Sequence, residues 1–303
     1  MSAYRKTLED NIFKANPLIY WLGQQGRKEH QDGGHQLLVP LLYGKNTTVK
    51  SYANYDVIDT TPQDGITNAI YPWRQIAGSI SISRMEERKN SGAAKIIDLL
   101  NAKMMQAEKS MIEEINRMLF LDGTGNGGLD FYGLALLVEE GTAYSTVGGI
   151  DSSSDTWWQN YWKSTGAFDD NGRADMRIAY NTTARGNEHC DIIITTQAVY
   201  EFYEALLVAG ERFADKKIGD AGFETLKFKG AWMFYDDYCT SGYMYFLNSN
   251  YLEWRVDKQT DLITTPFVRP SNQDARVAQI LLYGNLVCSN RARQGVLTAI
   301  TET

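Results

Sequence analysis

From Asn90 to Phe120 the sequence reads as one uninterrupted helix. Ile97, Leu100, Met104, Ala107, Met111, Ile115 and Met118 recur at steps of three and four, which draws a single apolar stripe along one face. Lys95, Asp98, Lys103, Lys109, Glu113 and Arg117 fall mostly off that stripe and keep the other faces wet. Asn90 or Ser91 can accept the orphan amide hydrogens of the first turn, no proline intervenes, and Gly123 and Gly125 supply the positive-φ residues that stop a helix. About thirty residues at 1.5 Å each make a rod of roughly 45 Å, well beyond the usual globular helix. Whatever else the chain forms must be arranged along that beam.

Ahead of the beam lie a charged arm and a run of strands. Residues 1–32 mix Arg5, Lys6, Lys14, Arg27 and Lys28 with Glu9, Asp10, Glu29 and Asp32, and hold one apolar knot, Ile19-Tyr20-Trp21-Leu22. With no strand or helix partner nearby in sequence, the knot either docks on something distant or on another subunit, or belongs to a short N-terminal helix. From Gly33 the period becomes two. His35 to Tyr43, Thr47 to Tyr55 and Ile66 to Ser83 are rich in Val, Ile, Thr and Tyr, and turn signals at Gly44-Lys45-Asn46 and Thr60 to Gly65 separate them. The reading is a long hairpin whose last arm, Trp73 to Ser83, alternates at Ile76, Gly78, Ile80 and Ile82. Lys45, Asn46, Thr47, Thr48, Lys50, Ser51 and Asn54 leave the arms polar on both faces, so the ribbon has too little apolar area to bury within one chain and needs a neighbour.

After the beam the sequence is loop-rich to Thr156. Thr156 to Trp162 and Ala174 to Arg185 read as short helices, Cys190 to Thr195 as a continuous apolar strand, and Gln197 to Leu207 as an amphipathic helix. Gly230 to Tyr235 and Gly242 to Leu247 are aromatic-rich strands, and Ala275 to Cys288 and Gly295 to Ile300 are further β-type runs. The class is α+β.

Chemistry is scarce. His30, His35 and His189 lack the i, i+4 spacing of a helical zinc site, and neighbours such as His189 and Cys190 on a strand point to opposite faces. Glu139-Glu140 and Asp236-Asp237 read as solvated loop charges. The glycines of Asp122 to Gly128 follow a helix rather than a strand, so the negative helix end faces them and a phosphate loop gives way to a chain-reversing turn. Trp157, Trp158, Trp162 and the aromatics from Phe202 to Phe246 lack interleaved cations, which favours core or subunit contact over base stacking. No catalytic residue, metal ligand or cofactor site emerges. With 43% apolar and 22% charged residues over 303 positions, the composition is that of a globular chain, and a net charge of −7 argues against tight wrapping of nucleic acid. Cys190, Cys239 and Cys288 are widely spaced in apolar surroundings and read as reduced, buried thiols. No membrane span or signal peptide fits the charges Lys6, Glu9, Asp10 and Lys14, and the expected compartment is cytoplasm-like.

In this order the strings LLVPLLYG from Leu37, YDVIDTTPQDGIT from Tyr55, WRQIAGSISIS from Trp73, Asn90-Ser91-Gly92, LFLDGTGNGG from Leu119, Gly148 to Asp151 ahead of Trp157-Trp158, ITTQAVYEFYEALL from Ile194, FLNSNYL from Phe246 and the run from Pro270 to Leu297 resemble the major capsid proteins of tailed bacteriophages with the Hong Kong 97-type fold. The resemblance implies an N-terminal arm over 1–32, an E-loop hairpin over 33–83 lying on an adjacent subunit, a peripheral domain with the spine helix over 84–132, an axial domain over 133–263, and peripheral return strands over 264–303. It further implies self-assembly through hexamers and pentamers into an icosahedral shell that encloses double-stranded DNA without binding it specifically, assembled in the host cytoplasm and ending in the virion, with no enzymatic activity. Its partners would be other copies of the chain, a portal protein and, since the arm starts close to Met1, a separate scaffolding protein, with room for a cement or decoration protein. The side chains expected at contacts between subunits are Tyr20, Trp21, Leu22, Lys45, Lys50, Tyr52, Tyr55 and Trp73. Lys45 or Lys50 with Asn285 or Asn290 would be the candidates for a cross-link. An encapsulin-type nanocompartment shell of the same fold is the alternative.

Overall fold

A computed structural model describes residues 17–89, 99–141, 145–207 and 226–302. Helix α1 (Pro17–Gln24) and strand β1 (Lys28–Gln31) lead into strands β2 (Leu37–Leu42), β3 (Ile66–Tyr71) and β4 (Arg74–Ser83), then helices α2 (Arg84–Lys89) and α3 (Leu99–Leu119). Single turns α4 (Gly125–Gly128) and α5 (Leu134–Leu137) follow, with the two-residue strands β5 (Thr146–Val147) and β6 (Ile150–Asp151). Next come β7 (Tyr161–Ala167), α6 (Arg173–Thr183), β8 (Ile192–Thr195) and α7 (Gln197–Ala205). Strands β9 (Leu226–Phe228), β10 (Ala231–Tyr235), β11 (Met244–Leu247), β12 (Leu252–Asp257), β13 (Ile263–Thr264), β14 (Ala275–Cys288) and β15 (Gly295–Thr301) complete the order.

Two sheets organise these elements. In the five-stranded sheet, β14 is the axis: its first ten residues pair antiparallel with β4, its last five with β12, and β13 and the parallel edge strand β1 complete the layer. The six-stranded sheet runs β7-β15-β11-β8-β10-β9 and is mixed, with β7 and β10 entering parallel to their neighbours β15 and β8. Every residue of β8 is buried, as its unbroken run of isoleucines requires of a strand covered on both faces. One side of this sheet packs Met176, Ala179, Val199, Tyr200 and Tyr203 of α6 and α7 against Ile193, Met233, Met244 and Phe246. The other side joins the larger core built by α3 and the five-stranded sheet.

After β7 the chain passes between the sheets over Asn248–Tyr251 and again over Ser289–Gln294, and these two crossings brace each other. The Asn248 amide donates to Gln294 Oε1 (2.8 Å), Gln294 Nε2 donates to the Asn248 carbonyl (3.2 Å), and both side chains are buried. The expected return of 264–303 to one unit is therefore divided, because β14 lies in the five-stranded sheet and β15 in the six-stranded one.

Helix α3 buries Met111, Ile115 and Met118 of the stripe the periodicity marks, and Leu119 beside them. The proposed caps Asn90 and Ser91, and Ile97, lie outside the described residues. Arg84–Lys89 is a helix of its own, entered through a reciprocal capping box: the Ser83 amide donates to Glu86 Oε2 (3.0 Å) and the Glu86 amide to Ser83 Oγ (3.2 Å). Three expected elements differ. Trp73 to Ser83 is not a hairpin arm but β4, a strand of the five-stranded sheet that buries Ile80 and Ile82. Pro72 explains the break, since it offers no amide to the ladder and sits between β3 and β4. Thr47 to Tyr55 forms no strand, and Thr156 to Trp162 is a three-residue turn at Thr156–Trp158 followed by β7.

Candidate assembly surfaces

Strands β2 and β3 form a two-stranded ribbon, Leu37 opposite Tyr71 through Leu42 opposite Ile66. Leu37, Val39, Leu41, Ala69 and Tyr71 turn one face of it into the core. The opposite face leaves Leu38, Leu42, Ile66 and Ile70 in solvent. Several ties fix the root. Tyr71 Oη donates to the Cys288 carbonyl (2.8 Å), the Ile70 amide donates to the Gly148 carbonyl (2.8 Å), and Tyr43 stacks on Trp157 with ring centroids 5.2 Å apart. Burial raises the Tyr71 phenol far above its ordinary range, so the hydroxyl stays a donor.

Past Leu42 the two arms come together at Gly44 and Gly65. A Cβ built on Gly44 would lie 3.0 Å from the Gly65 Cα, and one on Gly65 would lie 3.0 Å from the Gly44 carbonyl oxygen, so the crossing has space for backbone alone. Beyond it, residues 45–64 form a loop held by local hydrogen bonds. Thr47 Oγ1 donates to Gln63 Oε1 across the arms (2.7 Å), the Ala53 amide donates to Asp56 Oδ2 (2.8 Å), and the Thr61 hydroxyl and amide hold the Asp59 carboxyl below its usual range. Nearly all of this loop is exposed, including the apolar side chains Val49, Tyr52, Val57 and Ile58, with Tyr55 at 99%. Most of the exposed large apolar side chains among the described residues fall between Leu38 and Ile70. Isolated apolar side chains on a surface are ordinary, whereas a concentration on one projecting loop marks a contact surface.

The residues singled out for contact between subunits therefore separate into three sets. Lys45, Lys50, Tyr52 and Tyr55 stand on the exposed loop. Trp21 and Leu22 do not face outward: with Leu18 they are buried in the chain's own core beneath α1, at 3% and 2% exposure. The apolar knot finds its partner within the chain, which corrects the expectation of an external contact for these two. Tyr20 is half-buried on the same helix, and Trp73 is half-buried with its indole N–H donated to the Gly34 carbonyl (2.9 Å). Of the cross-link candidates, Asn285 is withdrawn. It is fully buried, its Oδ1 accepts from the Tyr132 amide (2.8 Å) and its Nδ2 donates to the Pro72 carbonyl (2.9 Å). Asn290 is half-buried beside Tyr43 and Trp157 in a groove at the ribbon root.

A second surface runs beside α3. A cleft of about 470 Å³ opens between the helix and β4, with Ile76, Ser79, Gln106, Ser110 and Glu114 on its walls. Gly78 lets the helix approach the strand, for a Cβ there would lie 3.0 Å from Met111 Sδ. Lys103 spans one end, donating to the Ser81 carbonyl and to Glu86 Oε2, each at 3.0 Å.

Two carboxylates that read as solvated loop charges are structural instead. Glu139 is buried against Arg291, and Asp236, 2% exposed, accepts from Asn116 Nδ2 at both carboxylate oxygens (3.1 and 3.0 Å), which ties α3 to the end of β10. Glu140 and Asp237 remain exposed. All three cysteines are free and buried, with burial raising each thiol and Cys288 pushed up to about 12. Among the described residues no group of three or more His, Cys, Asp and Glu side chains converges as a metal site would, and no helix is long and apolar enough to cross a membrane.

No family model and no curated protein matches the chain. Solved structures do. The capsid asymmetric unit of cyanophage A-1(L) superimposes with a TM-score of 0.77 at 16% identity, over 98% of this chain and 96% of that one. The capsid of the native GTA particle gives 0.65 at 10% identity over 99% and 96%. The holo-SrpI encapsulin complex from Synechococcus elongatus PCC 7942 gives 0.60 at 11% identity over 98% and 97%. The α+β fold is that of phage capsid proteins, along its full length.

Proposed function

We propose that this chain is the major capsid protein of a tailed phage, a structural protein whose copies associate as hexamers and pentamers into a closed shell around double-stranded DNA. One observation carries the reading beyond the fold: the loop 45–64 is built on an anchored ribbon, projects apolar side chains, and has no core of its own to bury them in. A second copy offers the complementary surface, since the cleft between α3 and β4 has an apolar floor and a polar rim. On this reading the five-stranded sheet with α3 is the peripheral domain and the six-stranded sheet with α6 and α7 the axial domain. The acidic balance suits an inner wall that confines DNA without gripping it. A portal protein, a separate scaffolding protein and a cement or decoration protein belong to the same proposal, as does the place of the shell in the virion.

Electron microscopy of the purified chain, alone and with a scaffolding protein, tests it. Capsomers or closed shells support the proposal, and a persistent monomer overturns it. The second reading, an encapsulin-type compartment, rests on the likeness to the encapsulin complex. Shells that carry a packaged enzyme rather than DNA would favour it.

A further inference from the structure

A cleft of about 620 Å³ lies in the six-stranded-sheet half of the molecule, between α6 and the β9–β10 hairpin, away from the ribbon and the spine helix. Its lining brings three cations together, Arg173 and Arg177 of α6 and Lys229 of the turn between β9 and β10. Arg173 and Arg177 stand one turn apart on α6 and so share a face, and Lys229 reaches the same helix at Asn181, whereas Lys227 meets Tyr203 through its carbonyl and turns its ammonium to the other face of the hairpin, over Trp232. Like charges at these spacings repel, and the chain as a whole is acidic, so the concentration is not what net composition would produce.

The cations are also positioned. Lys229 Nζ sits 5.4 Å from that of Tyr180 and donates to Asn181 Oδ1 (3.2 Å). Aromatic faces hold an ammonium group without neutralising it. None of Arg177, Lys227 or Lys229 has a carboxylate within ion-pair distance among the described residues; Asp175, the nearest in sequence, is buried against Lys163 at 2.5 Å. The turn itself is unusual. Lys229 and Gly230 link β9 to β10 with φ of +51° and +123°, positions at which a two-residue hairpin favours Asn-Gly. A lysine is kept there in a left-handed conformation, its carbonyl accepting from Tyr180 Oη (3.2 Å), and its side chain lines the cleft.

We propose that this cleft binds the phosphate oxygens of an oligophosphate anion, with the Arg177 guanidinium and the Lys229 ammonium as its principal contacts. A planar guanidinium beside an ammonium group that Asn181 and Tyr180 hold against the same helix suits several phosphate groups in a row better than one carboxylate. The phosphates could be those of a free oligophosphate or of a nucleic-acid backbone, and the chemistry of recognition is the same. The site is independent of the assembly surfaces, so its failure would leave the proposed function untouched.

The test is calorimetric titration of the full-length protein with sodium tripolyphosphate and, separately, with a short DNA duplex. The same titrations use Arg177→Gln/Lys229→Gln and, as a control for charge removal elsewhere, the exposed Lys258→Gln. Circular dichroism checks that each variant is folded. The expected result is saturable binding of at least one probe, weakened by about tenfold or more in the double variant and unchanged in Lys258→Gln, with a salt dependence typical of phosphate contacts. Tripolyphosphate binding identifies a free oligophosphate as sufficient, and duplex binding alone identifies the backbone as the source. Binding of neither probe, or equal binding by the wild type and the double variant, overturns the proposal.

Discussion

Arg291 lies wholly out of solvent with its Nη2 2.6 Å from Glu139 Oε2, so the turn before β15 is held by charge to the segment after α5. The guanidinium spends its other donors on the Leu137 carbonyl (2.8 Å) and Ser152 Oγ (2.6 Å), and Asn160 joins the network from the far side. Removing the cation leaves a buried carboxylate and unpaired carbonyls, and breaking such a pair costs about 3–5 kcal/mol. Arg291→Ala should therefore lower the unfolding free energy by about that amount, and the double replacement Arg291→Met/Glu139→Leu by much less. Chemical denaturation of the variants measures both.

Gly133 ends the passage out of α3 at a point of close backbone approach. A Cβ there would lie 2.3 Å from the Leu121 carbonyl oxygen and 2.5 Å from that of Met118, and backbone cannot swing aside as a side chain can. Gly133→Ala should destabilise the protein by about 3 kcal/mol, at the upper end for overpacking, although the backbone itself is extended rather than left-handed. A fall in the denaturant midpoint without change in slope would bear this out.

Between β4 and α2 the prediction concerns pH. The Ser83 amide and then Lys103 hold the Glu86 carboxyl below its ordinary value. A depressed carboxyl contributes stability that is present above its unfolded pKa and lost as the pH falls through the folded one. The protection factor of the Glu86 amide, its exchange corrected for the intrinsic dependence of exchange on pH, should thus fall as the solution is acidified below the usual glutamate range. Glu86→Gln should remove that dependence, and a protection factor in the wild type that does not change with pH would contradict it.

On the outer loop, Tyr55→Ser and Val57→Ser should leave the fold intact, changing stability by no more than about 0.5 kcal/mol because neither side chain touches the body of the chain. Assembly should suffer instead. Sedimentation of the variant proteins, with wild type alongside, separates the two effects, and shells formed with wild-type yield would show that the loop is not a contact surface.

The stripe on α3, strand β14 over Ala275–Cys288, and the step from β8 into α7 were legible because each is written in local periodicity. Trp73 to Ser83 was legible as a strand, but not its partner: alternation says nothing about pairing with residues some two hundred positions on, and the one local clue was Pro72. The surface set divided for a similar reason. Tyr52 and Tyr55 lie among polar residues that cannot form a core, whereas Trp21 and Leu22 needed the distant core below α1 to be seen. Arg291 with Glu139 and Asn116 with Asp236 were missed because two polar residues 152 and 120 positions apart carry no sign of one another. Asn116 did leave a trace, as an amide within the buried part of α3.

The meeting of Gly44 and Gly65 has a geometric consequence. Where two arms touch through backbone only, turning one side of the crossing relative to the other disturbs no packed side chain, and the root fixed by Tyr71 stays as it is. In the shell proposed above, a single chemical sequence would then serve unequal surroundings: the far loop would turn to suit each angle between neighbours while the body of every copy stayed identical.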